Sequence, residues 1–266
     1  VSNAQELILH ILSFLPRKET LDYSSPYFQS PKKFFPKYAT ISRNWQYAVE
    51  RITFSSIGLK STELGDFSRM FAPAHRNAVL RSLRYEIVLP TYDDLACAVF
   101  ESAEDQDAND DAFSEAVHGL FAVLKSWPEN MPQTQHRSQP APLALYISKV
   151  YSPYDRMHRN WDLNVIQWME YQSGKRDDLF DERYQHSVIR LKRWEQLQTL
   201  PRVIEFRVRG RWRRILGPQS IARIASKFPS LEKIRWKLND DENNDADTRQ
   251  QLRSGQYMIP PVITSY

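Results

Sequence analysis

Few side chains in this sequence are spaced for chemistry, and the clearest pattern is one of charge. Glu205, Arg207 and Arg209 alternate with Phe206 and Val208, while Lys233, Arg235 and Lys237 alternate with Ile234 and Trp236. Alternate residues of an extended strand share a face, so each stretch sets charged side chains opposite apolar ones. Adjacent parallel strands would bring the two charged sets side by side. The result would be a basic stripe over Arg207, Arg209, Lys233, Arg235 and Lys237, continued by Arg211, Arg213 and Arg214 in the following turn. Like charges so placed repel, and the stripe needs an acidic counterpart. Three are conceivable: the chain's own Asp240, Asp241, Glu242, Asp245 and Asp247; an acidic or phosphorylated protein segment; and, least favoured, a nucleic-acid backbone.

The remaining reactive residue types read as structural. Cys97 lies in the apolar Leu95-Ala-Cys-Ala-Val and reads as a buried small hydrophobe. His158 has Asp155 and Asp162 nearby but no second His or Cys to complete a metal site. Gly174-Lys175 lacks the other residues of a phosphate-binding loop. The acidic run Glu101–Asp111 lacks the glycine and ligand spacing of a calcium loop and reads as a solvated loop. No nucleophile-elbow, zinc-protease or paired-cysteine motif is found. The expectation is a protein that is not an enzyme and has no metal and no cofactor.

These residues must be positioned by a mixed α/β architecture. Leu7, Ile8, Ile11, Leu12 and Leu15 recur at helical spacing, and Pro16 ends the run. After the irregular stretch Arg17 to Lys37, a second amphipathic segment carries Tyr38, Ile41, Trp45, Ala48, Val49 and Ile52. Two such helices offer little core of their own, so their apolar side needs a partner or the rest of the chain to cover it, and a partner is expected. Leu83, Tyr85, Ile87 and Leu89 alternate as in a strand, and Leu143, Leu145 and Ile147 begin another. A helix is expected from about Asp110 to Trp127, and residues 153–190 read as loop with short helices. Leu200-Pro201 with Val203, Phe206 and Val208 recurs 28 residues later as Phe228-Pro229 with Leu231, Ile234 and Trp236. A helix begun near Pro218 lies between them. A strand–helix–strand unit of this period suggests a leucine-rich-repeat-like solenoid. The strands near Leu83 and Leu143 would be irregular earlier copies. The ending, Ile259 to Tyr266, has no obvious capping repeat, and the expectation is a part of a longer protein, with further repeats or the main partner site beyond it.

Composition agrees. The chain has 266 residues, 41% hydrophobic and 26% charged, with a net charge of +4. Seven glycines disfavour nucleotide loops. One cysteine excludes an internal disulfide and fits an intracellular setting, cytoplasm or nucleus. No apolar run is long enough to span a bilayer, so no membrane partner is expected.

The residues Glu6-Leu-Ile-Leu-His-Ile-Leu-Ser-Phe-Leu-Pro16 and Tyr38-Ala-Thr-Ile-Ser-Arg-Asn-Trp-Gln-Tyr-Ala-Val-Glu50 resemble the first and later helices of an F-box. With Leu83 to Pro90 and Ile221 to Pro229, the chain as a whole resembles fungal F-box proteins. The resemblance implies a small helical F-box module over residues 1–56, then a degenerate leucine-rich-repeat-like domain over 57–266. It implies a substrate receptor of an SCF-type ubiquitin ligase, which binds a Skp-type adaptor through the F-box and an acidic or phosphorylated target protein through the repeats. The adaptor-contacting positions would be Leu7, Ile8, Ile11, Leu12, Leu15, Pro16, Ile41, Ser42, Trp45 and Val49. Two alternatives stay open: an interaction protein outside any ligase whose F-box has degenerated, and a nucleic-acid binder using the basic stripe.

Overall fold

A computed structural model describes residues 2–14, 36–92, 96, 100–127, 141–153, 188–208 and 214–236. Leu15, Pro16, Cys97, His158, Gly174, Arg209, Arg211, Arg213, Lys237 and the acidic stretch 240–247 lie outside these residues, as does most of 153–190. Helix α1 spans Ser2–Phe14. The second amphipathic segment is not one helix but two, α2 (Pro36–Ala39) and α3 (Arg43–Thr53). The break has a local cause. Ser42 is extended, and its hydroxyl accepts the Trp45 backbone N–H as the cap of α3.

Strand β1 (Ser56–Lys60) follows directly, then helices α4 (Leu64–Phe71) and α5 (Ala74–Val79), and strand β2 (Ser82–Val88). Helix α6 (Ala103–Lys125) leads towards β3 (Leu143–Tyr151). The short strand β4 (Val188–Ile189), β5 (Val203–Val208), the short β6 (Ile215–Leu216), helix α7 (Pro218–Ala225) and β7 (Lys233–Trp236) complete the order. Strands β1, β2, β3, β5 and β7 form one parallel sheet in chain order. Each strand therefore lies beside its predecessor, and the sheet grows in one direction. The register pairs Ile57, Leu83, Leu145, Phe206 and Ile234 across all five strands. The pairing of Phe206 with Ile234 is the 28-residue offset read from the sequence.

Strand alternation decides which face is covered. Leu59, Leu83, Tyr85, Ile87, Leu145, Ile147, Phe206 and Val208 are buried in one cluster with Phe67, Phe71, Phe113, Val117, Leu120, Phe121, Ile221 and Ile224 of the helices. The opposite strand residues Arg84, Glu86, Tyr146, Glu205 and Arg207 are half-exposed, and Lys233 and Arg235 are exposed. The described helices α4, α6 and α7 thus pack on one face of the sheet. Tyr85, fully buried, anchors this layer by donating its hydroxyl to the Ala116 carbonyl of α6 at 2.9 Å.

The acidic stretch 101–111 is not a loop. Helix α6 begins at Ala103, because Ser102 and Asp105 cap each other's backbone N–H groups. Between β3 and β5 the helical layer is filled by an extended strip, residues 188–192, lying between α6 and α7. Val188 and Ile189 pair with Ile215 and Leu216 of β6, and for the next three residues side chains supply acceptors. Asp110 takes the Arg190 N–H at 2.7 Å, Ser220 that of Leu191 and Ser114 that of Lys192, both at 2.8 Å. Burial pushes the Asp110 carboxyl above its ordinary value, and the bond from Arg190 only partly offsets this.

Candidate binding surfaces

Two surfaces stand apart from the cores. The first is on the leading helices. Ile8, Leu12, Ala48 and Val49 form a small cluster of their own, separate from the sheet core, with Leu9, Tyr38, Ala39, Trp45 and Ile52 around it. Positions 8 and 12 share one side of α1; positions 7 and 11 share the neighbouring side. Leu7 is 59% exposed, Ile11 41%, and Ile41, at the turn into α3, 58%. The adaptor-contacting positions inferred from the sequence therefore divide. Leu7, Ile11 and Ile41 present aliphatic surface outward. Ile8, Leu12 and Val49 face inward and hold the helices together, Trp45 is half-buried against Tyr38, and Ser42 serves as the cap.

Helix α3 also joins the small cluster to the sheet domain. The Glu50 side chain, 12% exposed, accepts Arg76 Nη2 at 2.8 Å and Gln46 Nε2 at 3.2 Å, and lies 2.7 Å from His75 Nε2. Arg76 stacks over Phe54, and Tyr47 meets His75 edge-on. Burial raises the Glu50 pKa, but the bonds from Arg76, His75 and Gln46 outweigh it and hold the carboxyl below its usual range.

The second surface is the open face of the sheet. One row across the strands reads Ser56, Ser82, Ala144, Glu205, Lys233; the next reads Gly58, Arg84, Tyr146, Arg207, Arg235. The expected side-by-side placement of Arg207 and Arg235 is present. Glu205 interrupts the basic stripe: its Oε1 accepts Arg207 Nε at 2.8 Å and lies 3.4 Å from Arg235 Nε. The bond from Arg207, with Arg235 and Lys233 close by, holds the Glu205 carboxyl below its ordinary value. Towards β1 the stripe weakens differently. Arg84 lies over Gly58, where a Cβ would come within 3.1 Å of its Nη2. Glu86 is 3.9 Å from Lys149.

Arg214 is a correction. It does not extend the stripe but is buried in an ion pair with Glu101, which also accepts Asn109 Nδ2 at 3.0 Å. The two charges are 113 residues apart, so nothing local in the sequence joins them. Among the described residues no group of three His, Cys, Asp or Glu is placed to hold a metal ion. Among the same residues no helix is long and apolar enough to cross a membrane. Comparisons with protein-family models, curated proteins and solved structures find no match.

Proposed function

We propose that the chain is a substrate-receptor subunit of an SCF-type ubiquitin ligase. Its leading helices dock on a Skp-type adaptor, and the open sheet face of a degenerate leucine-rich-repeat-like domain holds the target protein. The chain itself performs no chemistry; by holding target and ligase together it makes ubiquitin transfer effectively intramolecular. The observation that carries this reading is the exposure of Leu7, Ile11 and Ile41 beside a helical cluster that buries its other apolar residues separately from the sheet. Aliphatic side chains left out of both cores suit a protein partner. The in-order parallel sheet, with a 28-residue step from Phe206 to Ile234 and 26 from Ile57 to Leu83, supports the repeat reading. The steps into and out of β3 are longer, at 62 and 61 residues, roughly two repeats each.

The test is co-expression with a Skp adaptor. A stable one-to-one complex is expected, lost when Leu7 and Ile11 are both changed to Asp while helicity is retained. Absence of any complex with the unmodified chain in gel filtration would remove the ligase reading.

A further inference from the structure

We propose that the gap between α6 and α7 is a docking slot for an extended peptide of a protein partner, patterned aliphatic-x-aliphatic-Lys. The chain's own residues 189–192 fill it as an internal ligand, which such a peptide displaces. The inference is independent of adaptor docking and of the open sheet face. It starts from a match of two periods. Gln106, Asp110 and Ser114 stand four apart on α6 and meet Val188, Arg190 and Lys192, which stand two apart in the strip. Four helical residues rise about 6 Å and two extended residues span about 6.6 Å, so one stripe of the helix stays in step with an extended backbone. Gln106 Nε2 donates to the Val188 carbonyl at 3.4 Å, and Asp110 and Ser114 accept the Arg190 and Lys192 N–H groups. His118, four residues further on, places its Nε2 3.4 Å from the Lys192 carbonyl. Ser220 of α7 takes the Leu191 N–H from the other side, and β6 pairs with Val188 and Ile189.

These contacts read the backbone, which every extended segment shares. Asp110 and Ser114 are buried, and a buried polar group without a partner is costly, so the stripe calls for an extended chain against it. Side chains supply the selectivity. Ile189 and Leu191 are buried in the main core, whereas Arg190 between them is exposed. Lys192 Nζ lies 2.7 Å from Asp107 and 2.9 Å from Asp111, so the position after the second aliphatic residue is set for a cation. The strip adds no strand to the five-stranded sheet, and the pairings among β1, β2, β3, β5 and β7 do not depend on it. Its departure is therefore a local event, and a competing segment recovers the same backbone bonds.

The experiment uses the full chain and a fluorescein-labelled peptide of the strip's own sequence, Ser-Val-Ile-Arg-Leu-Lys-Arg, followed by anisotropy. Ile189→Asp with Leu191→Asp withdraws the internal ligand and leaves the residues of α6, α7 and β6 unchanged. This double variant is expected to bind the peptide about tenfold tighter than the unmodified chain does, and about tenfold tighter than it binds Ser-Val-Asp-Arg-Asp-Lys-Arg. Adding Ser114→Ala should weaken the peptide several-fold by removing one backbone acceptor. Native-state hydrogen exchange of the unmodified chain tests displacement with no substitution. The amides of Arg190, Leu191 and Lys192 should exchange together, about tenfold or more faster than those of Leu145 and Ile147 in β3. Equal affinity for the two peptides, no gain over the unmodified chain, indifference to Ser114→Ala, or strip amides as slow as those of β3 would each overturn the proposal.

Discussion

Adjacent residues of α1 should respond oppositely to truncation. Leu12 is fully buried in a cluster whose other buried members among the described residues are Ile8, Ala48 and Val49, whereas Ile11 is 41% exposed. Burying the three larger side chains contributes about 1.5–3 kcal/mol each, and less against a compact unfolded chain. Leu12→Ala removes about 2–5 kcal/mol through lost transfer and a residual cavity. That is roughly half or more of what the small cluster gains. Ile11→Ala removes a side chain that is already 41% exposed and should cost less, about 1 kcal/mol. Native-state hydrogen exchange separates the two. In Leu12→Ala the amides of α1 and α3 should exchange fast while those of β2 and β3, in the separate core, stay protected. In Ile11→Ala all four elements should keep their protection. Equal loss in the two variants, or loss of β2 and β3 together with α1, would refute the view that the leading helices have their own core.

Three further outcomes follow from buried polar groups. Arg214→Met should cost about 3–5 kcal/mol in denaturant unfolding, because the buried Glu101 carboxylate loses its cation; replacing Glu101 and Arg214 together by Leu and Met should cost far less. Asp110→Ala leaves the Arg190 N–H without its acceptor and should cost about 1–3 kcal/mol. Asp110→Asn keeps that acceptor and should match or exceed the parent, since burial disfavours the charged form. For Glu50 the folded pKa is depressed, so its contribution is present above the ordinary value of 4.5 and is lost as pH falls through the lower folded value. Acid titration should therefore release protection of α5 before that of β3, and Glu50→Gln should remove the difference; identical profiles in parent and variant would contradict the assignment.

What could be read from the sequence was whatever rested on short-range periodicity. The alternation at Leu83–Ile87 and the 28-residue recurrence of Phe206 in Ile234 fixed strand faces, register and the neighbouring arginines, because period-two burial and parallel pairing follow from backbone geometry alone. The first turns of α6 are not legible in the sequence, because seven residues from Glu101 to Asp111 are Asp, Glu or Asn, which look like loop. The overlooked signal was Ser102 with Asp105 three positions on. Strand β1 and helices α4 and α5 were missed because each is short, with Gly58 in the middle of the strand. The binding surfaces were partly legible. Exposure of Leu7 and Ile11 against burial of Ile8 and Leu12 depends on where α3 lies, and the Glu205 bridge depends on β7 lying beside β5. Both are facts of tertiary arrangement.

The two surfaces have value together only if their relation is fixed. Linking binding events raises effective concentration to a degree set by the length and stiffness of the connection, and the gain is lost where geometry forbids engaging both sites at once. Here the connection is α3 itself. One side packs on α1, and Glu50 on the same helix engages His75 and Arg76 of α5, the helix that precedes β2. The distance from Ile11 to Arg235 is thus set by a helix and a half-buried ion pair. Weakening that pair should leave each surface competent alone while reducing any activity that needs both. Glu50→Gln should therefore leave adaptor and target affinities measured separately unchanged, and slow modification of a bound target in the reconstituted ligase. A loss of either separate affinity would show that Glu50 supports the surfaces themselves instead of their spacing.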